Sequence, residues 1–107
     1  MTDCLFCAIA KGEKPCDKVY EDEHCIAFKD IFPKAQVHVL LIPKKHIKSL
    51  LELEAQDHHL MGHLSLCIPK IAKDLGLEEG FKIHVNTGVK GGQEIDHLHY
   101  HILGNIN

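Results

Sequence analysis

Three histidines alternate with apolar or aromatic residues in the run HLHYHIL, which covers positions 97–103. On an extended segment, alternate side chains share one face and lie roughly 6.6 Å apart, so His97, His99 and His101 are expected to project the same way. Near neutral pH, imidazole serves as a nucleophile, a proton carrier and a zinc ligand. The run is therefore a candidate for a catalytic site, a metal site or the polar face of an ordinary strand.

The residues that precede the histidines favour catalysis among these alternatives. Residues 86–93, NTGVKGGQ, form a glycine-rich turn, and such a turn can direct successive backbone N–H groups at an anion. A plain hairpin loop would explain the turn if the histidines were absent. A nucleophilic imidazole next to an anion-binding loop predicts a reaction on a small bound anion.

Composition limits how an anion is held and which larger partners are expected. The 12 basic residues are all lysines. A phosphate would therefore be bound by histidines, backbone N–H groups or lysine point charges rather than by the bidentate arginine fork. The formal net charge of -3 gives no general attraction to nucleic acid or to an acidic membrane, so neither is expected as a partner.

Localisation and cysteine chemistry follow from the same composition. No apolar run reaches the roughly 18 residues that a membrane span requires, and the start MTDCLFC lacks the basic flank and long apolar stretch of a signal peptide. We therefore expect a cytoplasmic protein. Five cysteines are an odd number for a disulfide framework, so metal ligation or burial is expected of them.

The hydrophobic pattern predicts one α+β domain over residues 1–107, built on an antiparallel sheet. A short helix is expected over 4–11 with Asp3 as its N-terminal cap, and a long helix over 54–75. Pro69 lies inside the long helix, where it predicts a kink, with a complete break as the alternative. The predicted strands cover 18–21, 24–29, 37–42, 81–86 and 97–103.

The alternation within these strands predicts which polar side chains meet. His38 and Asn86 each lie on the polar side of their own predicted strand, opposite the apolar residues that flank them. If those polar sides belong to one sheet surface, His38 and Asn86 converge with His99 and His101. The register that would bring them together is not determined by the pattern.

Three segments resemble the histidine triad (HIT) family. GGQEIDHLHYHILG is similar to the family signature, His-x-His-x-His followed by two apolar residues. FKDIFPKAQVHVLLIPKKHI and LFCAIAKGEKPCDKVYEDE resemble the segment before the long helix and the N-terminal segment of the Hint branch, whose members hydrolyse nucleoside phosphoramidates. The resemblance implies a HIT-like fold with a five-stranded antiparallel sheet, one long and one short helix, and a sheet continuous with that of a second subunit in a homodimer.

The same resemblance assigns chemical roles. It implies that His99 attacks the α-phosphorus of a purine nucleotide of the AMP or GMP type and forms a nucleotidyl-histidine intermediate. His101 and the loop amides would steady the phosphoryl oxygens, and His38 would hydrogen-bond within the triad. The implied substrate contacts are Asn86, Gly92 and Gln93 around the reacting group, Asp30 at the ribose, and Leu5, Phe6, Ile9, Phe28 and Ile31 at the base, with ordinary core as the alternative for the apolar residues.

A zinc site is implied by the resemblance to bacterial-type relatives. Cys4 and Cys7, at i and i+3, can place two thiolates on one side of a helical turn, although such a pair is weak evidence by itself. The resemblance adds His46 and His97 as the remaining ligands of a structural zinc ion that takes no part in the reaction. The alternative is that both cysteines are free buried thiols.

The other cysteines and histidines are read without a chemical role. Cys16, Cys25 and Cys67 are interpreted as structural. His59 and His63 lie at i and i+4 on the long helix, where solvated or interfacial histidines are the simpler interpretation. No role is assigned to His24, His58 and His84.

Three other functions stay open from the sequence. The chain could hydrolyse dinucleoside polyphosphates rather than phosphoramidates. It could be a nucleotide-sensing binding module whose turnover is incidental. It could also be a protein that stores or is organised by zinc, in which case it would not bind nucleotides.

Overall fold

The computed structural model describes residues 4–105, and Asp3, the predicted helix cap, lies outside the described residues. The strands are β1 Lys18–Glu21, β2 Cys25–Lys29, β3 Val37–Pro43, β4 Lys82–His84 and β5 Tyr100–Gly104, and the α-helices are α1 Leu5–Ala10 and α2 His58–Asp74. The five strands form one antiparallel sheet in the order β1-β2-β3-β5-β4. The predicted α+β class and the five-stranded antiparallel sheet are confirmed.

β3 lies at the centre of the sheet, and both of its faces are covered. Val39 and Leu41 pack on one face in the core that α2 covers, whereas Leu40 and Ile42 pack on the other face in the core that α1 covers. A strand buried on both sides needs apolar residues at successive positions, which explains the run VHVLLIP. His38 is 4% exposed and, by its parity, lies on the α1 side.

α1 begins with a sulfur cap. The Cys4 Sγ accepts a hydrogen bond from the Cys7 backbone N–H over 3.2 Å. Gly12 follows the end of the helix with φ of +77°, a left-handed conformation that glycine adopts without strain. The predicted helix over 4–11 is confirmed to within one residue at each end.

α2 starts later than predicted because its first turn winds as a 3-10 turn, Ala55–Asp57. The Asp57 side chain accepts a hydrogen bond from the Glu54 backbone N–H at 2.9 Å, which closes this turn before the α-helix begins. Pro69 lies inside a continuous helix, so a complete break is wrong. The carbonyl that loses its N–H partner belongs to Ser65, which is exposed and can be hydrated.

The last two predicted strands, over 81–86 and 97–103, are shorter in the structure, where they cover Lys82–His84 and Tyr100–Gly104. Alternating polarity indicates an extended backbone, but it does not say whether a neighbouring strand offers hydrogen-bond partners. His97 and His99 consequently lie before β5 rather than on it.

Pro43 explains why the pairing of β3 with β5 stops. The register of the two strands ends with Leu41 opposite Tyr100, and its continuation would set Pro43 opposite Leu98. Proline has no N–H to donate, so the ladder cannot continue. Leu98 instead donates its backbone N–H to the carbonyl of Ile47 at 2.7 Å.

Among residues 4–105, no helix is both long enough and apolar enough to cross a membrane.

Candidate active site

Three neighbouring strands each place one histidine on the α1 side of the sheet: His38 on β3, His101 on β5 and His84 on β4. The Nε2 of His38 lies 2.9 Å from the Nδ1 of His101. The rings of His84 and His101 stack with centroids 4.2 Å apart. The ring of His99 follows at 4.9 Å from that of His101, so four imidazoles form one continuous group.

His99 is held by a hydrogen bond to its own backbone segment. Its Nδ1 lies 2.7 Å from the carbonyl oxygen of His97, and a carbonyl can only accept, so Nδ1 carries the proton and donates it. The lone pair is therefore on Nε2. The ring is 7% exposed and meets the ring of Phe6 edge to face at a centroid distance of 5.1 Å. His99 thus presents one unprotonated nitrogen in a fixed orientation.

A chain of hydrogen bonds likewise determines the proton positions on His38 and His101. The backbone N–H of Lys34 donates to the Nδ1 of His38 at 3.0 Å, so His38 is protonated on Nε2. That Nε2 donates to the Nδ1 of His101, which leaves the proton of His101 on Nε2. Asp30 holds a carboxylate oxygen 3.4 Å from the same Nε2 of His38 and reinforces this arrangement.

His38, His84 and His101 are neutral near physiological pH, because the pKa of each is lowered from its ordinary value. The pKa of His101 is lowered to about 4, mainly by burial and in addition by the nearby histidines at 84, 99 and 38, against a weaker opposing effect of Asp30. Burial also lowers the pKa of His38, although Asp30 acts in the opposite direction. Any proton that His101 donates to a ligand therefore comes from a neutral imidazole.

His84 is the member of this group to which sequence reasoning assigned no role. It stands opposite His101 in the β4–β5 register and stacks on its ring. The sequence did contain an indication of this position. His84 lies two residues before Asn86 on the predicted strand, so both side chains are on the same face, and Asn86 was expected near the site. This shared face becomes informative only when the pairing of β4 with β5 is known.

Gln93 anchors the glycine-rich loop from inside the protein. Its Nε2 donates to the carbonyls of Lys48 at 2.7 Å and Ile95 at 2.9 Å. Its Oε1 accepts the backbone N–H of Gly88 at 2.8 Å, and the residue is 8% exposed. In this structure Gln93 therefore shapes the loop with all of its side-chain polar atoms.

The expectation that the loop amides are free for an anion is wrong for four of them. The N–H of Gly88 donates to Gln93, and those of residues 91, 92 and 93 donate to the carbonyls of Gly88, Val89 and Gly88 respectively. The loop closes on itself as a 3-10 turn, Val89–Gly91, and uses these donors internally. The sequence could not reveal this, because the same glycines permit both an open and a closed turn.

Two predicted polar contacts lie beside the histidines. The Asn86 side chain donates through Nδ2 to the Gly92 carbonyl at 3.2 Å and so ties the end of the β4 segment to the loop. Asp30 accepts the backbone N–H of Phe32 at 2.9 Å through Oδ1 while its Oδ2 faces His38. Both side chains are partly exposed at the rim of the site.

The residues predicted to line a base pocket fall into two groups. One group is buried in the core between α1 and the sheet, and the other group is exposed to solvent. The buried ones are Phe6 at 3% exposed, Phe28 at 4% and Ile9 at 8%, and the exposed ones are Leu5 at 43% and Ile31 at 82%.

A separate group of donors, Cys4, Cys7, His46 and His97, lies beside the segment that carries His99. All four ligand atoms lie within 4.8 Å of one another. The Nδ1 of His97 is 3.2 Å from the Cys4 Sγ and 3.3 Å from the Nδ1 of His46, which in turn is 3.2 Å from the Cys7 Sγ. These spacings are those of donors around one small tetrahedral ion.

The chemistry of this donor set also fits a metal. His97 donates its Nε2–H to the carbonyl of Pro43 at 2.8 Å, which leaves Nδ1 unprotonated and directed at the cysteines. Burial raises the pKa of the Cys7 thiol to about 11, with the neighbouring Cys4 adding to the effect. A buried thiolate there needs a cation beside it, so the four residues could hold a zinc ion.

Matches to known proteins now decide the family. The HIT domain family model matches residues 11–107. The chain belongs to the HIT family. It is 50% identical over 104 residues to Protein HitA of Neisseria gonorrhoeae, with 97% of each chain covered.

HIT structures from two organisms superpose closely on this chain. A HIT family hydrolase from Legionella pneumophila has a TM-score of 0.94 and 42% identity, covering 98% of this chain and 95% of its own. A histidine triad nucleotide-binding protein from Candida albicans has a TM-score of 0.89 and 32% identity, covering 98% of this chain and 76% of its own. The HIT fold inferred from the signature is therefore confirmed.

The neutral state of His101 predicts a loss of stability in acid. Its folded-state pKa of about 4 lies below the ordinary 6.5, so between these values the unfolded chain binds a proton that the folded chain does not. This contribution is present in full above pH 6.5 and is lost as the pH falls towards 4. Allowing for partial exposure of the ring, the loss is on the order of 2 kcal/mol.

Urea unfolding from neutral pH down to pH 4 measures the effect. The free energy of unfolding of the native chain should fall more steeply with acid than that of His101→Gln, in which the titrating ring is absent. His58→Gln, at an exposed position, is the matched control and should keep the native slope. Equal slopes for the native chain and His101→Gln would contradict the prediction.

Proposed function

We propose that the protein hydrolyses purine nucleoside 5'-phosphoramidates, of the AMP-amine or GMP-amine type, through a nucleotidyl-histidine intermediate on His99. The observation that carries the proposal is the hydrogen bond of 2.7 Å from the Nδ1 of His99 to the His97 carbonyl, which leaves Nε2 unprotonated. The Legionella relative is described as a hydrolase and the Candida relative as nucleotide-binding. These descriptions support a hydrolytic reaction on a nucleotide.

In the first step, the lone pair on the His99 Nε2 forms a bond to the α-phosphorus and the P–N bond to the amine breaks. The departing nitrogen keeps the bonding electron pair and takes a proton from solvent. Because Nδ1 keeps its proton, the ring becomes a nucleotidyl-imidazolium, and the His97 carbonyl that accepts this N–H stabilises the positive charge. The backbone contact thus favours the charged intermediate over the free ring.

In the second step, water attacks the phosphorus from the side opposite the histidine. A P–O bond forms, the bond from phosphorus to the His99 Nε2 breaks, and the nucleoside monophosphate leaves. The proton lost by water goes to solvent, and His99 returns to its neutral state. Two displacements at phosphorus replace one difficult displacement by a weak nucleophile.

His101, whose ring centroid lies 4.9 Å from that of His99, can hold a phosphoryl oxygen with its N–H. Its proton lies on Nε2 because His38 donates to its Nδ1. A neutral, buried N–H whose direction is set by a partner needs little reorganisation when charge develops on phosphorus. With no arginine in the chain and four loop amides already bonded, this donor carries more of the stabilisation than the signature alone implied.

Replacement of the nucleophile tests the proposal. His99→Ala should lower the rate of hydrolysis of adenosine 5'-phosphoramidate by about 10³-fold or more, since the ring forms the covalent bond. His59→Ala on the exposed side of α2 is the matched control and should keep the native rate. Mass spectrometry of the native chain quenched during turnover should find one nucleotidyl group on the peptide that contains His99.

Three outcomes would contradict the proposal. They are an unchanged rate in His99→Ala, a nucleotidyl group on another residue, and faster turnover of diadenosine polyphosphate than of the phosphoramidate. The last result would identify a dinucleoside polyphosphate hydrolase that uses the same nucleophile. Loss of turnover without loss of a cellular effect would favour a nucleotide-sensing module.

We also propose that Cys4, Cys7, His46 and His97 bind a structural zinc ion. Bound zinc would connect the start of α1 to the segment that follows β3 and to the segment that precedes β5. This connection would add to the stability of a small core. The zinc ion would affect the reaction only indirectly: it would bind the His97 side chain, and the backbone carbonyl of His97 orients the ring of His99. No step of the chemistry passes through the metal.

Removal of one ligand tests this zinc site. Cys4→Ser should bind one zinc ion fewer per chain than the native protein, as measured by elemental analysis, and should have a lower melting temperature. Cys16→Ser is the control, since Cys16 belongs to neither this group nor the active site. The same zinc content in Cys4→Ser and the native chain would rule the site out.

We propose that the protein forms a homodimer through α2 and one edge of the sheet. Leu66 on α2 is 70% exposed, and β4 stands at an edge with unpaired backbone groups. Leu66→Glu should shift the mass measured by light scattering from two chains to one, whereas Ser65→Glu, on the same helix, should leave a dimer. A native mass of one chain would contradict the proposal.

A further inference from the structure

A second cluster of metal-binding side chains lies on the α2 side of the sheet, away from the histidines of the active site. It consists of Asp22 and Cys25, around the turn between β1 and β2, with His63 and Cys67 on α2. One donor atom from each residue lies within 4.8 Å of the others. The sequence gives no sign of this cluster, because the four residues come from two regions that are distant along the chain.

Helix and turn geometry bring these donors together. His63 and Cys67 are spaced i and i+4 on α2, so both side chains lie on one face of the helix. At the turn, the Asp22 Oδ1 accepts the backbone N–H of His24 at 2.8 Å and that of Cys25 at 3.0 Å. These two bonds fix the carboxylate and direct its Oδ2 towards α2.

The distances agree with those around a tetrahedral ion. Zn–S bonds of roughly 2.3 Å place two sulfur ligands roughly 3.8 Å apart, and a sulfur and an oxygen ligand roughly 3.5 Å apart. Here the Cys25 and Cys67 Sγ atoms are 3.6 Å apart, and the Cys67 Sγ lies 3.6 Å from the Asp22 Oδ2 that faces α2. The Cys25 Sγ lies 3.5 Å from the other oxygen of that carboxylate, Oδ1. One edge differs, since the Nε2 of His63 hydrogen-bonds to the Asp22 Oδ2 at 2.6 Å.

That edge can adjust, and one member of the cluster borders a surface groove. The side chain of His63 is 34% exposed, so it is free to withdraw by the roughly 0.7 Å that two ligands of one ion require. Asp22 and Tyr20 line a surface groove of about 570 Å³, while Cys25 and Cys67 are 0% and 1% exposed behind them. The cluster therefore has its two sulfur donors buried and its carboxylate and imidazole partly exposed.

We propose that Asp22, Cys25, His63 and Cys67 bind a divalent ion of the zinc class. Two thiolates, one imidazole and one carboxylate form a donor set that suits zinc and, as a probe, cobalt. Such an ion fastens the long helix to the β1–β2 turn, a connection that otherwise rests on the Asp22 hydrogen bonds and on core packing. The site is distinct from Cys4, Cys7, His46 and His97, which lie on the α1 side.

The experiment counts metal ions in the full chain after reconstitution with zinc under a phosphine reductant. The native chain should bind two ions. Cys67→Val and His63→Gln should each bind one ion, and the matched cysteine control, Cys16→Val, should bind two. Valine is close to cysteine in volume and leaves no polar atom in the core, so Cys67→Val should fold. If circular dichroism shows that it does not, His63→Gln at the half-exposed position decides the matter.

The Cys4→Ser background isolates the second site from the first. Cobalt added to Cys4→Ser should produce thiolate-to-cobalt charge-transfer absorption that disappears in Cys4→Ser/Cys67→Val and persists in Cys4→Ser/Cys16→Val. The proposal would be overturned if the native chain binds one ion, Cys4→Ser binds none and Cys67→Val still binds one. A different result would also overturn it: Cys25 and Cys67 form a disulfide in the absence of reductant, and no second ion binds after the disulfide is reduced. That result would identify the two cysteines as a redox couple.

Discussion

Two backbone carbonyls determine which nitrogen of two neighbouring histidines is available. The Pro43 carbonyl accepts the Nε2–H of His97 at 2.8 Å, and the His97 carbonyl accepts the Nδ1–H of His99 at 2.7 Å. One contact leaves a lone pair on the His97 Nδ1, which faces the cysteines, and the other leaves a lone pair on the His99 Nε2. Because Pro43 also ends the β3–β5 ladder, residues 97–99 are free of strand pairing and can adopt this arrangement.

The proposed phosphate site has neutral imidazoles where many phosphate-binding proteins use arginine. Burial keeps His38 and His101 neutral, and their mutual hydrogen bond assigns each proton to one nitrogen. In a poorly hydrated site, an oriented neutral donor is effective because little solvent has to reorganise during the reaction. The glycine-rich loop contributes shape, since the Gln93 side chain accepts the Gly88 N–H and three further loop N–H groups donate to carbonyls within the loop.

The sheet separates two kinds of chemistry. Its α1 side carries the four imidazoles of the active site together with Cys4, Cys7, His46 and His97, whereas its α2 side carries the larger apolar core and Asp22, Cys25, His63 and Cys67. This separation follows from the parity of β3, whose successive side chains enter opposite faces. The donors of the two proposed metal sites are therefore kept apart by the sheet.

The sequence by itself determined the class of fold, most element positions and the identity of the central histidines, because apolar periodicity and the triad spacing are local properties of the chain. It did not determine the role of His84, the internal bonding of the loop amides, the ends of the last two strands or the meeting of Asp22 with His63. Each of these depends on which element lies beside another and on which donors are already engaged. Only the tertiary structure decides that, since strand register and helix placement result from packing of the whole chain rather than from any local pattern.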